Sequence, residues 1–146
     1  MKFATGLYQL AIAFWVGGSA LFTFVLTPIL FKSESRDSAG RIVGILFPGY
    51  FRWGLACGVI ALGCRLVMRG GRMGLVSGIL AAMVAITLFQ AYYVEPKAAA
   101  IKQQIVSFDQ TPKDDPVRQQ FGRLHGVSAV CNLVVLAGGV VLVVLL

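Results

Sequence analysis

Apolar side chains fill most of this chain, in long runs that short polar segments interrupt. A helix that crosses a bilayer needs about 20 mainly apolar residues. Four runs meet this requirement, and the pattern predicts membrane-spanning helices over approximately residues 4–31, 52–68, 73–94 and 121–146. The chain, residues 1–146, is therefore expected to form one all-α domain, an integral membrane four-helix bundle.

Prolines, glycines and charged residues place the boundaries between these spans. Lys32–Arg41 is a polar connector, and Pro48–Gly49 makes the apolar stretch 42–51 resemble an interfacial turn ahead of the second span. Arg69–Arg72 contains two glycines and predicts a tight turn. Beyond residue 94 the chain is charged but keeps good helix formers, so the third helix is expected to extend beyond the membrane to about Ser107.

The last helix is expected to begin at Pro116, after a loop over Asp109–Asp115, because proline is favoured in the first turn of a helix. The two larger connections then lie on one face of the bundle, with nine of the 13 lysines and arginines. Basic residues favour the cytoplasmic side of a membrane. The large-loop face is therefore predicted to be cytoplasmic, with both termini on the other side.

Composition agrees with lipid as the main solvent. The chain is 58% hydrophobic and 13% charged, with a mean hydropathy of +0.81, whereas soluble domains carry about 25% charged residues. The net charge of +7 comes from basic residues at the edges of apolar runs, which favours anionic headgroups over nucleic acid as partners. Cys57, Cys64 and Cys131 all lie inside apolar segments, a placement unlike that of a disulfide framework.

Polar groups within the apolar runs form the candidate site, because ionisable side chains at membrane depth usually face protein or water. In the last helix, spacings of three and four place His125, Ser128 and Asn132 on one face. Glu95 lies at similar depth on the third helix and is expected to pair with a basic residue. The candidate cluster comprises Arg52, Tyr93, Glu95, Arg118, Arg123, His125, Ser128 and Asn132.

Two interpretations of this cluster stay open: it locks the helices together through hydrogen bonds, or it binds a ligand or proton. In both, His125 is expected to be the hub, because an imidazole can donate from one nitrogen and accept at the other. Glu95 is expected to pair with Arg52, Arg123 or His125 itself. A single histidine excludes a bis-histidine haem within one chain.

A second candidate lies on the second helix, where Cys57, Cys64 and Met68 share a face. Thiolates and thioethers select soft metals such as Cu(I). The alternative is that these sulfurs pack as small or flexible apolar groups. Trp15, near the middle of the first span, is expected to face the bundle.

No nucleophile–base–acid set, paired carboxylates or phosphate loop can be assembled from the sequence, so no enzymatic activity and no cofactor are expected. The first functional hypothesis is a membrane protein that binds or passes a small solute or soft metal, as a homo-oligomer. The alternative is a structural or accessory subunit that docks a partner membrane protein. The expected location is the inner membrane in a bacterium and a secretory-pathway membrane in a eukaryote.

Three stretches together resemble the transmembrane-protein-205-like family, the domain of unknown function 4149. They are Leu46–Phe51 (LFPGYF), Val94–Lys97 (VEPK), and Arg118–Ser128 (RQQFGRLHGVS) with Cys131–Leu133 (CNL). The resemblance implies a four-span membrane protein without an established molecular activity, whose eukaryotic members are associated with secretory-pathway membranes and tolerance of platinum drugs. The connector after the third helix is shorter than that of animal members, so partner binding through it is not carried over.

Overall fold

A computed structural model of the chain describes residues 2–68 and 73–145. It confirms the all-α bundle. The helices are α1 (Lys2–Leu21), α2 (Thr27–Ser33), α3 (Arg36–Met68), α4 (Met73–Phe89), α5 (Glu95–Lys102) and α6 (Pro116–Val144). Two π-helical turns, Phe22–Leu26 and Gln90–Val94, join α1 to α2 and α4 to α5.

The helices form four rods, each long and apolar enough to cross a membrane. The first rod is α1 with its π turn and α2, the second is α3, the third is α4 with its π turn and α5, and the fourth is α6. Each packs against the next, and the fourth packs against the first, so neighbouring rods in the ring are antiparallel. The chain is a multi-pass integral membrane protein.

The connector between the first two rods is shorter than predicted. Only Glu34 and Ser35 lie outside helices, and α3 runs without a break through Pro48. The predicted interfacial turn over residues 42–51 is therefore wrong. Proline removes one backbone hydrogen bond, but neighbouring groups in a membrane bundle can make up for the loss, so the hydrophobic helix continues.

The third rod ends earlier than predicted, at Lys102 instead of Ser107. Tight bonds from the amides of Gln104 and Ile105 to carbonyls three residues earlier close the last turn, and Ile105 is buried. Residues 103–115 form the connection to α6, whose first residue is Pro116 as expected. The predicted turn Arg69–Arg72 lies outside the described residues.

Each π turn ends two residues before a proline. The amide of Thr27, next to Pro28, donates to the Phe22 carbonyl, and the amide of Glu95, next to Pro96, donates to the Gln90 carbonyl. Both bonds span five residues where an α-helix spans four. A proline ring crowds the carbonyl four residues earlier, and widening the preceding turn relieves this crowding. π turns are frequent at functional sites.

The half of the bundle nearest the termini has an apolar core. Trp15 is 2% exposed, as predicted, and its indole lies flat on α3, where Gly54 and Gly58 leave room for it. A Cβ at Gly58 would lie 2.7 Å from a Trp15 ring carbon and 2.7 Å from a Val84 methyl. The hydrophobic effect does not drive helices together in lipid, so close packing of this kind holds them together.

The connection 103–115 is fastened to the start of α3 by two aspartates that exchange bonds. Asp37 accepts from the Ser107 hydroxyl at 2.5 Å and from the Phe108 amide at 2.6 Å. Asp109 in turn accepts from the amides of Arg36 and Asp37 at 3.2 and 3.3 Å. Carboxylates suit this position because the first turn of a helix has free amides and a positive dipole end.

The packing of Trp15 against Gly54, Gly58 and Val84, here called the Trp15 layer, gives a stability prediction. Gly58→Ala should destabilise the protein by about 1–3 kcal/mol, the usual cost of overpacking, because the rigid indole cannot move aside easily. Gly63→Ala is the matched control on α3, since a Cβ there meets nothing within 4 Å. Reversible unfolding in detergent checks both variants. Equal stability of Gly58→Ala and Gly63→Ala would contradict the close contact.

Candidate functional site

The half of the bundle nearest the loops holds a mainly apolar cavity with several polar side chains in its wall, here called the inner cavity, of about 310 Å³. All four rods contribute to its wall, and both π turns face it. The lining residues are Phe22, Thr23, Phe24, Thr27, Phe47, Tyr50, Phe51, Gln90, His125, Ser128, Ala129, Asn132 and Leu133. Aromatic and hydroxyl or amide groups alternate around the wall, an arrangement typical of small-molecule sites.

Asn132 connects three rods at this cavity. Its side-chain nitrogen donates to the Thr23 hydroxyl at 2.7 Å, and its oxygen accepts a short hydrogen bond from the Tyr50 hydroxyl. Tyr50 stacks on Phe22, with ring centroids 4.6 Å apart. The Asn132 side chain thus uses one donor and one acceptor in hydrogen bonds, which hold Thr23 and Tyr50 in fixed positions.

Gln90, Ser128 and Glu95 form a second chain between the third rod and α6. The Gln90 amide nitrogen donates to the Ser128 carbonyl at 2.9 Å and to its hydroxyl at 3.3 Å. The Ser128 hydroxyl donates to Glu95 Oε1 at 3.2 Å. Gln90 is 2% exposed and Ser128 6%. Ser128 therefore joins these two rods, and Glu95 pairs with a hydroxyl where a cation was expected.

His125 is not the predicted hub. Within the described chain it makes no hydrogen bond, and its ring stacks on Phe121 of its own helix at 6.1 Å. It lies between two cavities, and no hydrogen bond joins it to a described residue of another rod. The predicted pairing of Glu95 with Arg52, Arg123 or His125 is also absent among the described residues.

A second cavity of about 230 Å³, the mouth cavity, lies between the inner cavity and the loops. Phe47 and His125 line both cavities and stand between them. The lining residues of the mouth cavity are Phe31, Arg36, Gly40, Val43, Gly44, Phe47, Glu95, Ala98, Ala99, Lys102, Phe108, Phe121 and His125. Lys102 donates to the Gly40 carbonyl at 2.6 Å.

The inner cavity is closed on the side of the termini. Beneath it lies a void of about 10 Å³ between Trp15, Gly54 and Val135, which has room for one water at most. Further down, the Trp15 layer fills the bundle. The inner cavity can therefore be reached from the loop face or from the side, where the exposed Phe24 and Leu133 line it.

The remaining members of the predicted cluster lie elsewhere. Arg118 donates to the Thr111 carbonyl and lies 5.9 Å from the Phe108 ring, so it holds the connection 103–115. Arg123 is exposed on α6, and Arg52 is exposed at a groove on the outer side of α3.

Tyr93 also points away from the cluster. It is 50% exposed, and its hydroxyl accepts from Lys97 at 2.8 Å. Gln90 and Tyr93 are three residues apart and would share a face of an α-helix. The wider π turn rotates the residues that follow it around the helix axis. Gln90 and Val94 therefore face inward, and Tyr93 faces outward.

The sulfur groups of α3 lie in or beside the apolar core. Cys57 is buried, Cys64 and Met68 pack against the core, and Met68 Sδ accepts a hydrogen bond from Thr5 at 3.3 Å. No cluster of three histidine, cysteine, aspartate or glutamate side chains suitable for a metal occurs among residues 2–68 and 73–145. These contacts favour the packing interpretation of the sulfurs.

Tyr50 and Thr23 were not among the predicted site residues. Tyr50 lies in the stretch that was interpreted as an interfacial turn, so its place inside the bundle was hidden. A signal does exist: Thr23 and Gln90 each precede a proline of their own rod by five or six residues. In these two rods the polar residue falls at the widened turn, whereas Pro48 of α3 follows no such turn.

Comparison with known proteins places this architecture in a family. Residues 10–107 match the family described as "Domain of unknown function (DUF4149)". The chain belongs to this family. The match includes both prolines that follow the π turns and two of the three stretches quoted above, Leu46–Phe51 and Val94–Lys97. It confirms the resemblance to DUF4149.

A relative in Aquifex aeolicus (strain VF5), described as an uncharacterized protein, is 31% identical over 127 residues, which is 86% of this chain and 83% of the relative. No solved structure gives a significant match. The DUF4149 assignment therefore supplies the family and the membrane architecture, and the function has to be argued from the site.

The hydrogen bonds between rods give a coupling prediction. Ser128→Ala and Glu95→Ala should each lower stability, and the double variant should lose less than the sum, by about 0.6 kcal/mol, the average for bonds between membrane helices. Glu95→Ala with His125→Ala is the matched control and should be additive, because no bond joins that pair. Double-mutant cycles on detergent unfolding measure both. Stronger coupling of Glu95 to His125 than to Ser128 would contradict the assignment.

Proposed function

We propose that this DUF4149 protein binds a small, uncharged polar molecule in the inner cavity, which the molecule enters from the loop face. The observation that supports this most directly is the cavity itself: about 310 Å³ of space inside a membrane bundle, with hydroxyl and amide groups on its wall. This volume lies at the lower end of the range for small-molecule sites, roughly 300–1,000 Å³.

The lining chemistry gives the class of ligand. Apart from His125, the residues that line the inner cavity are neutral, and those at its narrow end are hydrogen-bonded to one another. Thr27 and His125 have polar groups without a bond to another described residue. A neutral molecule with one or two hydrogen-bonding groups and an apolar body fits this wall, since a charge would lack a partner and would be costly there.

Passage across the membrane would require the Trp15 layer to part, because it closes the inner cavity toward the termini. The geometry therefore supports ligand binding more strongly than transport across the membrane. Catalysis is not part of the proposal.

The alternative is a structural or accessory subunit, in which the polar groups only fix the packing of the rods. The mutual hydrogen bonding of Asn132, Thr23 and Tyr50 favours it, because these groups are already satisfied. The two proposals differ in what accompanies the purified protein: a small molecule in one, a partner protein in the other.

The test fills the cavity without removing a hydrogen bond. Thr27→Phe should abolish retention of a small molecule by the purified protein, because the added ring occupies the inner cavity. Val25→Phe is the matched control: it adds the same ring to the same rod at a side chain that is 46% exposed and lies outside this cavity. Mass spectrometry of the denatured protein identifies what is released.

A compound present in the wild type and in Val25→Phe, and lost in Thr27→Phe, is the expected result. Retention of the same compounds by Thr27→Phe would contradict binding in the inner cavity. A stoichiometric partner protein in place of a small molecule would favour the accessory-subunit alternative.

A further inference from the structure

A third cavity lies on the outer surface of the bundle, separate from the inner cavity. This side groove, of about 300 Å³, runs between α3 and the upper part of the third rod. Its lining residues are Gly44, Phe47, Pro48, Phe51, Arg52, Leu55, Ala91, Tyr92, Glu95, Pro96 and Ala99. Small residues and the two prolines leave the space, and Tyr92, 74% exposed, borders it on the lipid side.

Two opposite charges line this groove without meeting. Arg52 comes from α3 and Glu95 from α5, and no ion pair or hydrogen bond joins them. Glu95 uses Oε1 for Ser128 and has no described partner at its other oxygen. Arg52 has no described partner at all. Lys102 in the mouth cavity acts on the Glu95 carboxylate through space, and no ion pair joins these two described residues. A charge at membrane depth without a direct partner is costly, so Arg52 and the second oxygen of Glu95 are each expected to meet a complementary group from outside the chain.

The register of the two rods fixes the order of these charges across the membrane. Lys102 bonds the Gly40 carbonyl, and Thr87 lies beside Gly54, so the antiparallel rods are aligned throughout this region. In that alignment Glu95 lies opposite residues near Phe47, and Arg52 lies about one turn deeper. The groove thus has its acid nearer the loop face and its cation nearer the membrane centre.

We infer that the side groove binds a phospholipid with a zwitterionic, primary-amine headgroup, that is, phosphatidylethanolamine. In such a lipid the phosphate lies deeper than the ammonium, the same order as Arg52 and Glu95. An arginine binds a phosphate oxygen pair through its planar fork, and an ammonium donates to a carboxylate. The apolar wall toward the membrane centre, Leu55 and Ala91, suits an acyl chain.

The level of the groove agrees with a lipid headgroup. Tyr93, Lys97 and Arg123 are exposed on the same part of the bundle, and tyrosine and long basic side chains mark the membrane boundary. The long Arg52 side chain can also extend toward that boundary. This inference does not depend on a ligand in the inner cavity.

The test compares three lipids on the whole protein in detergent, offered together in equal amounts: 1-palmitoyl-2-oleoyl phosphatidylethanolamine, phosphatidylcholine and phosphatidylglycerol. Native mass spectrometry counts the bound lipids. The wild type should retain phosphatidylethanolamine about fivefold over the other two, roughly the effect of one charge-assisted hydrogen bond. Choline has no N–H to donate, and glycerol has no positive charge for Glu95.

Two variants separate the contribution of Glu95 to lipid binding from that of Arg52. Glu95→Gln, which keeps an oxygen for Ser128, should remove the preference for phosphatidylethanolamine over phosphatidylcholine. Arg52→Gln should lower retention of all three lipids without changing that preference. Arg123→Gln is the control, because this exposed arginine lies outside the groove and should alter neither. Thermal unfolding of each variant checks that the bundle is intact.

Equal retention of the three lipids by the wild type, or an unchanged preference in Glu95→Gln, would overturn the inference. Excess soluble phosphoethanolamine should leave the bound lipid in place, because it lacks the acyl chains. If it displaces the lipid, the groove is a site for soluble zwitterions and the assignment to a lipid is wrong.

Discussion

The need to pair polar groups inside a lipid-solvated bundle governs the loop-side half of this structure. Pro28 and Pro96 each withhold an amide from their rod, and the preceding turn widens to a π turn in response. The widened turns direct Thr23 and Gln90 toward α6, where Asn132 and Ser128 meet them. The cavity, its polar wall and its contacts with all four rods follow from these two local adjustments.

The rods are held together in different ways in the two halves of the bundle. Near the termini, Trp15 and the small residues it covers pack the rods closely and exclude water. Near the loops, hydrogen bonds hold the rods together. Each of these bonds fixes a few atoms and fills little volume, so space remains between the rods. The hydrogen bonds that Asp37 and Asp109 accept tie the loop to the start of α3 beside the mouth cavity, which Phe108 lines.

The apolar pattern predicted the four rods, their antiparallel order and the inward face of Trp15, since these depend only on run length and periodicity. It could not predict that α3 continues through Pro48, which depends on partners from other rods. It also placed His125 and Tyr93 in the site. A π turn moves every later side chain around the helix, and no residue type requires one, so Tyr93 could not be positioned from spacing. Ser128, three residues after His125, has the linking role because its carbonyl and hydroxyl meet Gln90 and Glu95 of the third rod.

The central claim is a cavity that opens toward the loops and ends at the Trp15 layer, and cysteine accessibility tests it most directly. Cysteine at Thr27 or at His125, in a protein whose Cys64 and Cys131 are replaced by serine, should react with a charged methanethiosulfonate reagent in lipid nanodiscs. The native Cys57, buried in the apolar core at the level of the Trp15 layer, between Gly54 and Gly58, should stay unmodified in the same molecules. Modification of Cys57 as fast as the cavity positions, or no reaction at Thr27→Cys and His125→Cys, would contradict the account.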